Sequence, residues 1–185
     1  IMGESVETFE TAKLLENTFR LINISFINEF AEFCSILDID VREVIKAAQT
    51  KPYGFMPFYP SAGVGGLCIP VDPIFLSAKA KEVGAPTKFI ELANQVNNSL
   101  GDYFVQIAKK QLGGLQDKKI ILVGVAYKPD ISDTRETPAK RILVALRAEG
   151  AIVDWHDELV GEWNGEISSE LSANFDLAIL VNPHS

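Results

Sequence analysis

The chain has 185 residues, a net charge of −8 and 47% hydrophobic residues, which is the composition of a soluble globular protein with one or two domains. No apolar stretch approaches the roughly 20 residues that a membrane span requires. The acidic balance argues against nucleic acid or an anionic membrane as the main partner. Two cysteines, Cys34 and Cys68, are too few for a disulfide scaffold, so we expect a reducing compartment, the cytoplasm.

The first predicted element is a helix over residues 9–37, where apolar residues recur at helical spacing without glycine or proline. Lys13, Asn17 and Arg20 share one face of this helix because they fall at positions i, i+4 and i+7. On spacing alone, this face is a solvated stripe with a surface ion pair. Cys34, later in the same helix, is predicted to be a small core residue.

A second, short helix is predicted over residues 41–49, with Asp40 at its N-cap. Residues 50–69 are predicted to form a loop rich in aromatic residues, proline and glycine, and long loops of this kind are usually functional. The pair Asp72-Pro73 then predicts a third helix, with Asp72 as N-cap and Pro73 at the first helical position.

Cys68 lies just before that third helix, at the end of the segment PSAGVGGLC. The small residues allow the backbone to approach a ligand closely, and a helix N-terminus can lower the pKa of a nearby thiol. A glycine-rich turn, a single thiol and a helix end together form a candidate site for covalent catalysis. The alternative is a small buried cysteine in a tight turn, and spacing alone favours that alternative.

The C-terminal half changes in character. A fourth helix, capped by Thr87, is predicted to end near Gly113. The order that follows is strand, helix, strand and strand, which predicts a doubly wound parallel sheet with any ligand at the carboxyl ends of its strands. No G-x-G-x-x-G segment follows the first strand, as a typical dinucleotide site would require. The predicted strands are residues 119–125, 151–154 and 176–181, and the helix covers residues 137–149.

Several segments resemble the UDP-glucose/GDP-mannose dehydrogenase family. The segment GVGGLCIPVDP at residues 63–73 resembles the catalytic cysteine motif of that family, and its ending resembles the branch that acts on UDP-N-acetylhexosamines. Residues 51–60, KPYGFMPFYP, most resemble the UDP-N-acetylglucosamine 6-dehydrogenase subgroup of that branch. That branch usually carries Pro-Gly-Pro-Gly where this chain has residues 60–63, and a histidine where it has Leu67.

The resemblance implies a double oxidation of the sugar C6 alcohol to a carboxylate, with two NAD molecules reduced. Cys68 is the implied nucleophile, which would form a thioester. The string KLLENTFR at residues 13–20 resembles the family's helix that carries an active-site lysine and asparagine, so Lys13 and Asn17 would stabilise the oxyanion. Asp72 would assist proton transfer or hold Lys13, in competition with capping its helix. Arg20 would contact the substrate or a second subunit.

The string GVAYKP at residues 124–129, followed by DTRE at 133–136, resembles the family's UDP-binding domain. Lys128 would contact a phosphate or ribose, and Tyr127 would pack on the sugar. The alternatives are a surface lysine and a half-buried aromatic residue. The remaining substrate-binding residues that we infer are Tyr59, Gly63, Gly65 and Gly66.

The implied fold is a helical central dimerisation domain at residues 1–114, followed by a Rossmann-like, doubly wound UDP-binding domain at residues 115–185 that is truncated at its end. The family's NAD-binding domain would precede residue 1, so we expect no NAD-dependent turnover from this chain alone. The expected partners are a UDP-sugar and a second copy of the chain, bound through the helical domain. No metal site is predicted.

Two other functions remain open. The chain could be a dimerising module that binds a nucleotide sugar without chemistry. It could also be a cysteine hydrolase, although its only histidines, His156 and His184, lie far along the chain from Cys68.

Overall fold

The computed structural model of the chain describes residues 5–185. These residues form two compact units. The first contains the chain up to Gly63 together with Cys68–Asn97, and the second contains Val64–Leu67 together with Asn98–Ser185. The two units divide between Asn97 and Asn98, within a helix that ends at Leu112. The domain boundary predicted after residue 114 lies just beyond that helix, and it stays a prediction.

The first unit begins with two capped helices. Helix α1 covers Val6–Ile36, and the Ser5 hydroxyl at its N-cap accepts a backbone N–H in the first turn. Helix α2 covers Val41–Ala48, and the Asp40 carboxylate accepts the backbone N–H of Arg42. Both helices agree with the spacing and capping signals in the sequence.

Helix α3 covers Asp72–Glu82 and begins differently from the prediction. Val71, rather than Asp72, occupies the N-cap position, and no side chain caps the helix. The backbone is already helical at Val71, and the N–H of Asp72 donates to the carbonyl of Cys68 at 2.9 Å. Asp72 therefore lies inside the first turn, and the prediction that it caps the helix is wrong. Its carboxylate is bound by another helix instead.

Helix α4 covers Lys88–Leu112 and ends at Gly113, whose φ is +73°. The part of α4 before Asn98 belongs to the first unit, where the hydroxyl of Ser25 in α1 donates to the carbonyl of Ala93 at 2.8 Å. The loop over residues 50–69 contains no helix or strand, as predicted. The core of this unit includes Leu21, Cys34, Ile45 and Ile90.

The two long helices α1 and α4 also carry large apolar side chains on their exposed sides, including Phe26, Phe33 and Phe89. These side chains alternate with charged residues along both helices. Within residues 5–185, no helix combines the length and the apolar character that crossing a membrane would need.

The second unit contains the strands β1 (Lys119–Val123), β2 (Ile152–His156) and β5 (Leu177–Leu180) and the helix α5 (Pro138–Ala148). The three strands form a parallel sheet in the order β2-β1-β5. The central strand is buried on both faces, as its continuous apolar sequence predicts. Helix α5 connects the first two strands, and the Thr137 hydroxyl caps it by accepting the backbone N–H of Ala139. The mixed helical and parallel-sheet fold class is confirmed.

A small antiparallel hairpin of β3 (Glu162–Trp163) and β4 (Glu166–Ile167) was not predicted. Its turn is Asn164-Gly165, and both residues have positive φ, which is the usual sequence of a two-residue hairpin turn. Trp163 packs edge-on against Trp155 of β2, with ring centroids 5.7 Å apart. The hairpin thereby covers one side of the sheet's edge strand.

Candidate functional site

Two of the predicted active-site residues meet in the first unit. Asn17 on α1 is 1% exposed, and its Nδ2 donates to Oδ2 of Asp72 at 2.6 Å. Asp72 itself is half-buried at the start of α3. A short hydrogen bond from an amide to a carboxylate, largely shielded from water, fixes the orientation of both side chains. The fold therefore presents a fixed carboxylate at the first turn of α3.

Cys68 lies in the turn that leads into α3. Its backbone carbonyl accepts the N–H groups of Val71 and Asp72 at 3.4 and 2.9 Å. Cys68 is an exposed residue. Cys34, by contrast, is 2% exposed inside α1, so the prediction that it is a core residue is confirmed. Of the two thiols, only that of Cys68 is accessible to a substrate or reagent.

Lys13 and Arg20 share one partner on the outside of α1. Lys13 Nζ lies 3.4 Å from one carboxylate oxygen of Glu16, and Arg20 Nη2 binds the other oxygen. Each of these side chains is about half exposed. Glu16 thus takes the place that we predicted for Asp72 as the partner of Lys13. Exposed ion pairs contribute at most about 1 kcal/mol, so Lys13 can be redirected to a ligand at little cost.

The loop before the glycine-rich segment is anchored on α1. Oδ1 of Asn28, which is 3% exposed, accepts the backbone N–H of Ser61 at 2.8 Å. Further back in the loop, the Tyr59 hydroxyl accepts from Gln49 Nε2 at 2.6 Å. Gly63 then turns the chain with φ of +122°. Asn28 was not predicted, because an isolated polar residue inside a long helix gives no signal of its own.

In the second unit, Gly65 and Gly66 lie against the turn that carries Tyr127. The N–H of Gly66 donates to the carbonyl of Arg135 at 2.9 Å. Three predicted substrate-binding residues, Gly65, Gly66 and Tyr127, are therefore brought together. Lys128, next to Tyr127, is exposed. The packing of Tyr127 on a sugar stays a prediction, since the contact that the structure describes for it is with the two glycines.

Asp157, which we did not predict, organises the carboxyl end of the sheet. It directly follows β2 and is 4% exposed. Its Oδ2 accepts the backbone N–H groups of Val125 and Ala126 at 2.8 and 3.0 Å, and its Oδ1 accepts those of Leu159 and Val160 at 2.9 and 3.1 Å. The available signal was its position, because an acidic residue after the second strand of a doubly wound sheet often has a special role.

His184 completes the Asp157 network. Its Nε2 lies 3.0 Å from Asp157 Oδ1, and its Nδ1 accepts the backbone N–H of Asp130 at 2.8 Å. Burial raises the pKa of Asp157, but the hydrogen bonds from Ala126, Leu159 and His184 outweigh it, so the pKa lies below its ordinary value. His184 is thus engaged within the second unit, which does not support a role for it as the base of a cysteine hydrolase.

The turn after β1 does not fit the pyrophosphate of a dinucleotide. In dinucleotide-binding folds, the N–H groups after the first strand face the phosphates. Here the carboxylate of Asp157 accepts those of Val125 and Ala126. A methyl group on Gly124 would lie 1.7 Å from the carbonyl oxygen of Asn182, so this glycine serves close chain packing. A cavity of about 210 Å³ remains at the carboxyl ends of the strands.

The chain matches two family models. Residues 7–99 match the central domain of the UDP-glucose/GDP-mannose dehydrogenase family, and residues 121–185 match the UDP binding domain of the same family. A UDP-N-acetyl-D-mannosamine dehydrogenase from Campylobacter jejuni is 40% identical over 155 residues, which are 82% of this chain and 37% of that protein. A UDP-N-acetyl-D-glucosamine 6-dehydrogenase from Pseudomonas aeruginosa is 37% identical over 162 residues, 85% of this chain and 38% of that protein. The chain thus spans less than half the length of these relatives.

Solved structures give the same result. An NDP-N-acetyl-D-galactosaminuronic acid dehydrogenase from Methanosarcina mazei superposes with a TM-score of 0.88 at 27% identity, over 98% of this chain and 42% of that one. A UDP-D-ManNAc dehydrogenase from Pyrococcus horikoshii superposes with a TM-score of 0.83 at 30% identity, over 96% of this chain and 42% of that one. The chain belongs to the UDP-glucose/GDP-mannose dehydrogenase family.

Proposed function

We propose that the full-length protein oxidises the C6 alcohol of a UDP-N-acetylhexosamine to a carboxylate in two hydride transfers, through a thioester on Cys68. The observation that carries this proposal is the 2.6 Å bond between Asn17 and Asp72, which fixes a carboxylate one helical turn after an exposed thiol. The substrate class is supported by relatives whose names include N-acetylmannosamine and N-acetylglucosamine dehydrogenases.

The residues of the first unit divide the chemistry. Asp72 takes up the proton that the C6 hydroxyl releases in the first oxidation. The Cys68 thiolate then adds to the aldehyde carbon, and Lys13 and Asn17 stabilise the oxygen that becomes negatively charged. After the second hydride leaves, water attacks the thioester, and the thiolate departs as the carboxylate forms. The exposure of Lys13 supports this role, because its pairing with Glu16 is weak.

We propose that NAD is the hydride acceptor in both oxidations. The turn after β1 does not fit a dinucleotide, since the Asp157 carboxylate takes its N–H groups. NAD is therefore expected to bind a part of the full-length protein other than this sheet.

The nucleotide side of the substrate is assigned to the second unit, whose residues 121–185 match the UDP binding domain. Lys128 is exposed after the first strand, and its ammonium group can pair with a phosphate or donate N–H bonds to the ribose hydroxyl oxygens. Tyr59, Gly63 and Arg20 are proposed to contact the substrate from the first unit. A local cation is needed because the chain as a whole is acidic, at −8.

We further propose that the first unit forms a homodimer. The outer faces of α1 and α4 expose large apolar side chains, such as Phe26 at 60%, Ile36 at 83% and Phe89 at 76%. Apolar side chains in such numbers on one unit are typical of an interface. Sedimentation of the full-length protein at micromolar concentration is expected to give a dimer or a higher even-numbered oligomer, and a monomer would contradict this assignment.

The test of the reaction is the product of a Cys68→Ser variant. The wild-type protein should reduce two NAD molecules for each UDP-sugar and release the uronic acid. Cys68→Ser should release aldehyde, or turn over at less than about 1% of the wild-type rate, because a serine hydroxyl is hardly ionised near neutral pH. Cys34→Ser is the matched control and should form the acid normally. Full acid production by Cys68→Ser would exclude the thioester on Cys68. A wild-type protein that binds the UDP-sugar without reducing NAD would leave a non-catalytic nucleotide-sugar-binding module as the better account.

A further inference from the structure

The segment Val64–Leu67, immediately before the thiol, is held by the second unit. Val64 is 4% exposed, and Gly66 is buried. The N–H of Gly66 donates to the carbonyl of Arg135 at 2.9 Å, which ties the backbone two residues before Cys68 to a fixed partner. Cys68 itself belongs to the first unit, so the chain passes from one unit to the other at the peptide before the proposed nucleophile.

Tyr127 forms the surface on which the two glycines lie. A methyl group on Gly65 would lie 2.6 Å from Tyr127 Cβ and 2.9 Å from the carbonyl oxygen of Glu136. A methyl group on Gly66 would lie 2.8 Å from Tyr127 Cε2 and 3.0 Å from Cζ. At position 66 only glycine fits while the tyrosine ring stays where it is, and at position 65 the crowding atoms are Tyr127 Cβ and the Glu136 carbonyl oxygen. The ring and the glycine backbone are therefore complementary in shape.

The turn that carries Tyr127 is itself closed by short-range bonds. The N–H of Tyr127 donates to the carbonyl of Asp133 at 2.9 Å. The Asp133 carboxylate accepts the backbone N–H of Arg135 at 3.0 Å and pairs with its guanidinium. These bonds fix the carbonyl of Arg135 that Gly66 uses. The same turn also presents Lys128, which follows Tyr127 directly.

We propose that Tyr127 is a positioning residue for Cys68: its ring and the Arg135 carbonyl hold Gly65-Gly66, so that the turn that offers Lys128 to the nucleotide also fixes the segment that ends in the thiol. The proposal rests on the proposed function for its catalytic consequence, but not for the contact itself. It assigns Tyr127 to the alignment of the nucleophile rather than to the sugar.

Tyr127→Ala in the full-length protein tests the contact and its consequence separately. Hydrogen exchange at the Gly66 amide should accelerate about tenfold or more, because removal of the ring exposes the hydrogen bond to Arg135 to water. The kcat for acid formation should fall about tenfold or more while KM changes less than about threefold, since misplacement affects the reacting geometry rather than substrate affinity. Tyr127→Phe keeps the ring and should restore both values. Tyr53→Ala, at a tyrosine that is 85% exposed, is the matched control.

A glycine pair gives a second test that does not depend on whether Tyr127→Ala folds. Gly66 and Gly54 have φ of +83° and +81°, so alanine meets the same backbone strain at both. A methyl group on Gly54 has no heavy atom within 4 Å, whereas one on Gly66 meets the Tyr127 ring. Gly66→Ala should therefore lower kcat and accelerate exchange of its neighbours more than Gly54→Ala does. The additional loss of kcat in Gly66→Ala, compared with Gly54→Ala, should be smaller when Tyr127→Ala is also present.

The outcomes separate this proposal from the reaction. If hydrogen exchange at the Gly66 amide is unchanged in Tyr127→Ala, the proposed contact between Tyr127 and Gly66 is wrong. Equal effects of Gly66→Ala and Gly54→Ala on kcat and exchange would lead to the same conclusion. Faster exchange with unchanged kcat would overturn the positioning role, and a raised KM with unchanged kcat would make Tyr127 a substrate contact. A wild-type protein without dehydrogenase activity would overturn the proposed function alone. Alkylation of Cys68 by iodoacetamide, with a rate unchanged in Tyr127→Ala, would then overturn the positioning role.

Discussion

Asp72 in the first unit and Asp157 in the second show how differently a fold can use a carboxylate. Asp157 is 4% exposed, and it receives four backbone N–H groups together with His184. Asp72 is half-buried, and the donor to its carboxylate within residues 5–185 is the amide of Asn17. An ionised carboxylate has about four acceptor sites, so Asp157 has none to spare while Asp72 has several. The carboxylate of Asp157 holds backbone in place, and that of Asp72 is available to a substrate.

Asp72→Asn is expected to give the largest effect on activity. The amide has nearly the same shape but cannot take up a proton, so kcat should fall about 10²–10⁴-fold in the full-length protein. Thermal unfolding should stay close to that of the wild type, because Asn17 still finds an oxygen to bind. Steady-state kinetics and calorimetry of the same sample provide the measurement. A wild-type kcat combined with a large loss of stability would place Asp72 with Asp157 as a structural carboxylate.

Asp157→Ala should give the largest effect on stability. The substitution leaves four backbone N–H groups without their acceptor, so the free energy of unfolding should fall by about 3 kcal/mol or more. Glu158→Ala, at the exposed neighbouring position, is the matched control and should change it by less than about 0.5 kcal/mol. Urea unfolding of both variants measures the difference. Equal free energies of unfolding for the two variants would mean that the hydrogen bonds of Asp157 contribute nothing to stability.

Asn17→Asp tests whether Asp72 is charged in the folded protein. A second carboxylate would lie within hydrogen-bond distance of the first, and the like charges raise the pKa of one of them. The variant should be less stable than Asn17→Ala by about 2 kcal/mol at pH 7. Acid should restore that stability, because protonation of either carboxylate removes the repulsion between them. A stability difference that does not change with pH would contradict a charged Asp72.

The acid dependence of stability should give the smallest of these effects. The pKa of Asp157 lies below its ordinary value, so its contribution to stability is fully present above the unfolded pKa of about 3.9 and is lost as pH falls through the folded pKa. The gap in unfolding free energy between the wild type and Asp157→Asn should therefore narrow as the pH falls from 5 to 2. A gap that widens toward acid would reverse the sign that we assign.

The same two residues show how far the sequence could be interpreted. The presence of Asp72 in the site could be predicted because it lies in a recognisable segment with Cys68, although its predicted role as the helix cap is wrong. Capping depends on where the backbone first becomes helical, and here that point is Val71. The position of Asp157 after β2 was a signal, but its structural role could not be predicted, because its partners Val125 and Ala126 are backbone amides 32 and 31 residues away, which no side-chain pattern encodes.

The elements of both units were predictable because their signals are local. The apolar periodicity of α1 and the continuous apolar run of β1 gave their types, and glycines and caps gave most of their ends. The hairpin also has a local signal, the pair Asn164-Gly165, which is typical of a two-residue hairpin turn. The contact between Gly66 and Tyr127 joins segments 61 positions apart in the chain, and only the folded structure brings them together.

The central claim is that Cys68 carries the acyl group during the reaction, and a trapped adduct tests it most directly. The full-length protein is mixed with a UDP-N-acetylhexosamine and NAD, quenched with acid within the first turnovers and digested for mass spectrometry. We predict a mass increase equal to that of the UDP-sugar acid less one water on the peptide that contains Cys68, and none on the peptide that contains Cys34. An unmodified Cys68 peptide in a sample that accumulates the acid product would contradict the claim.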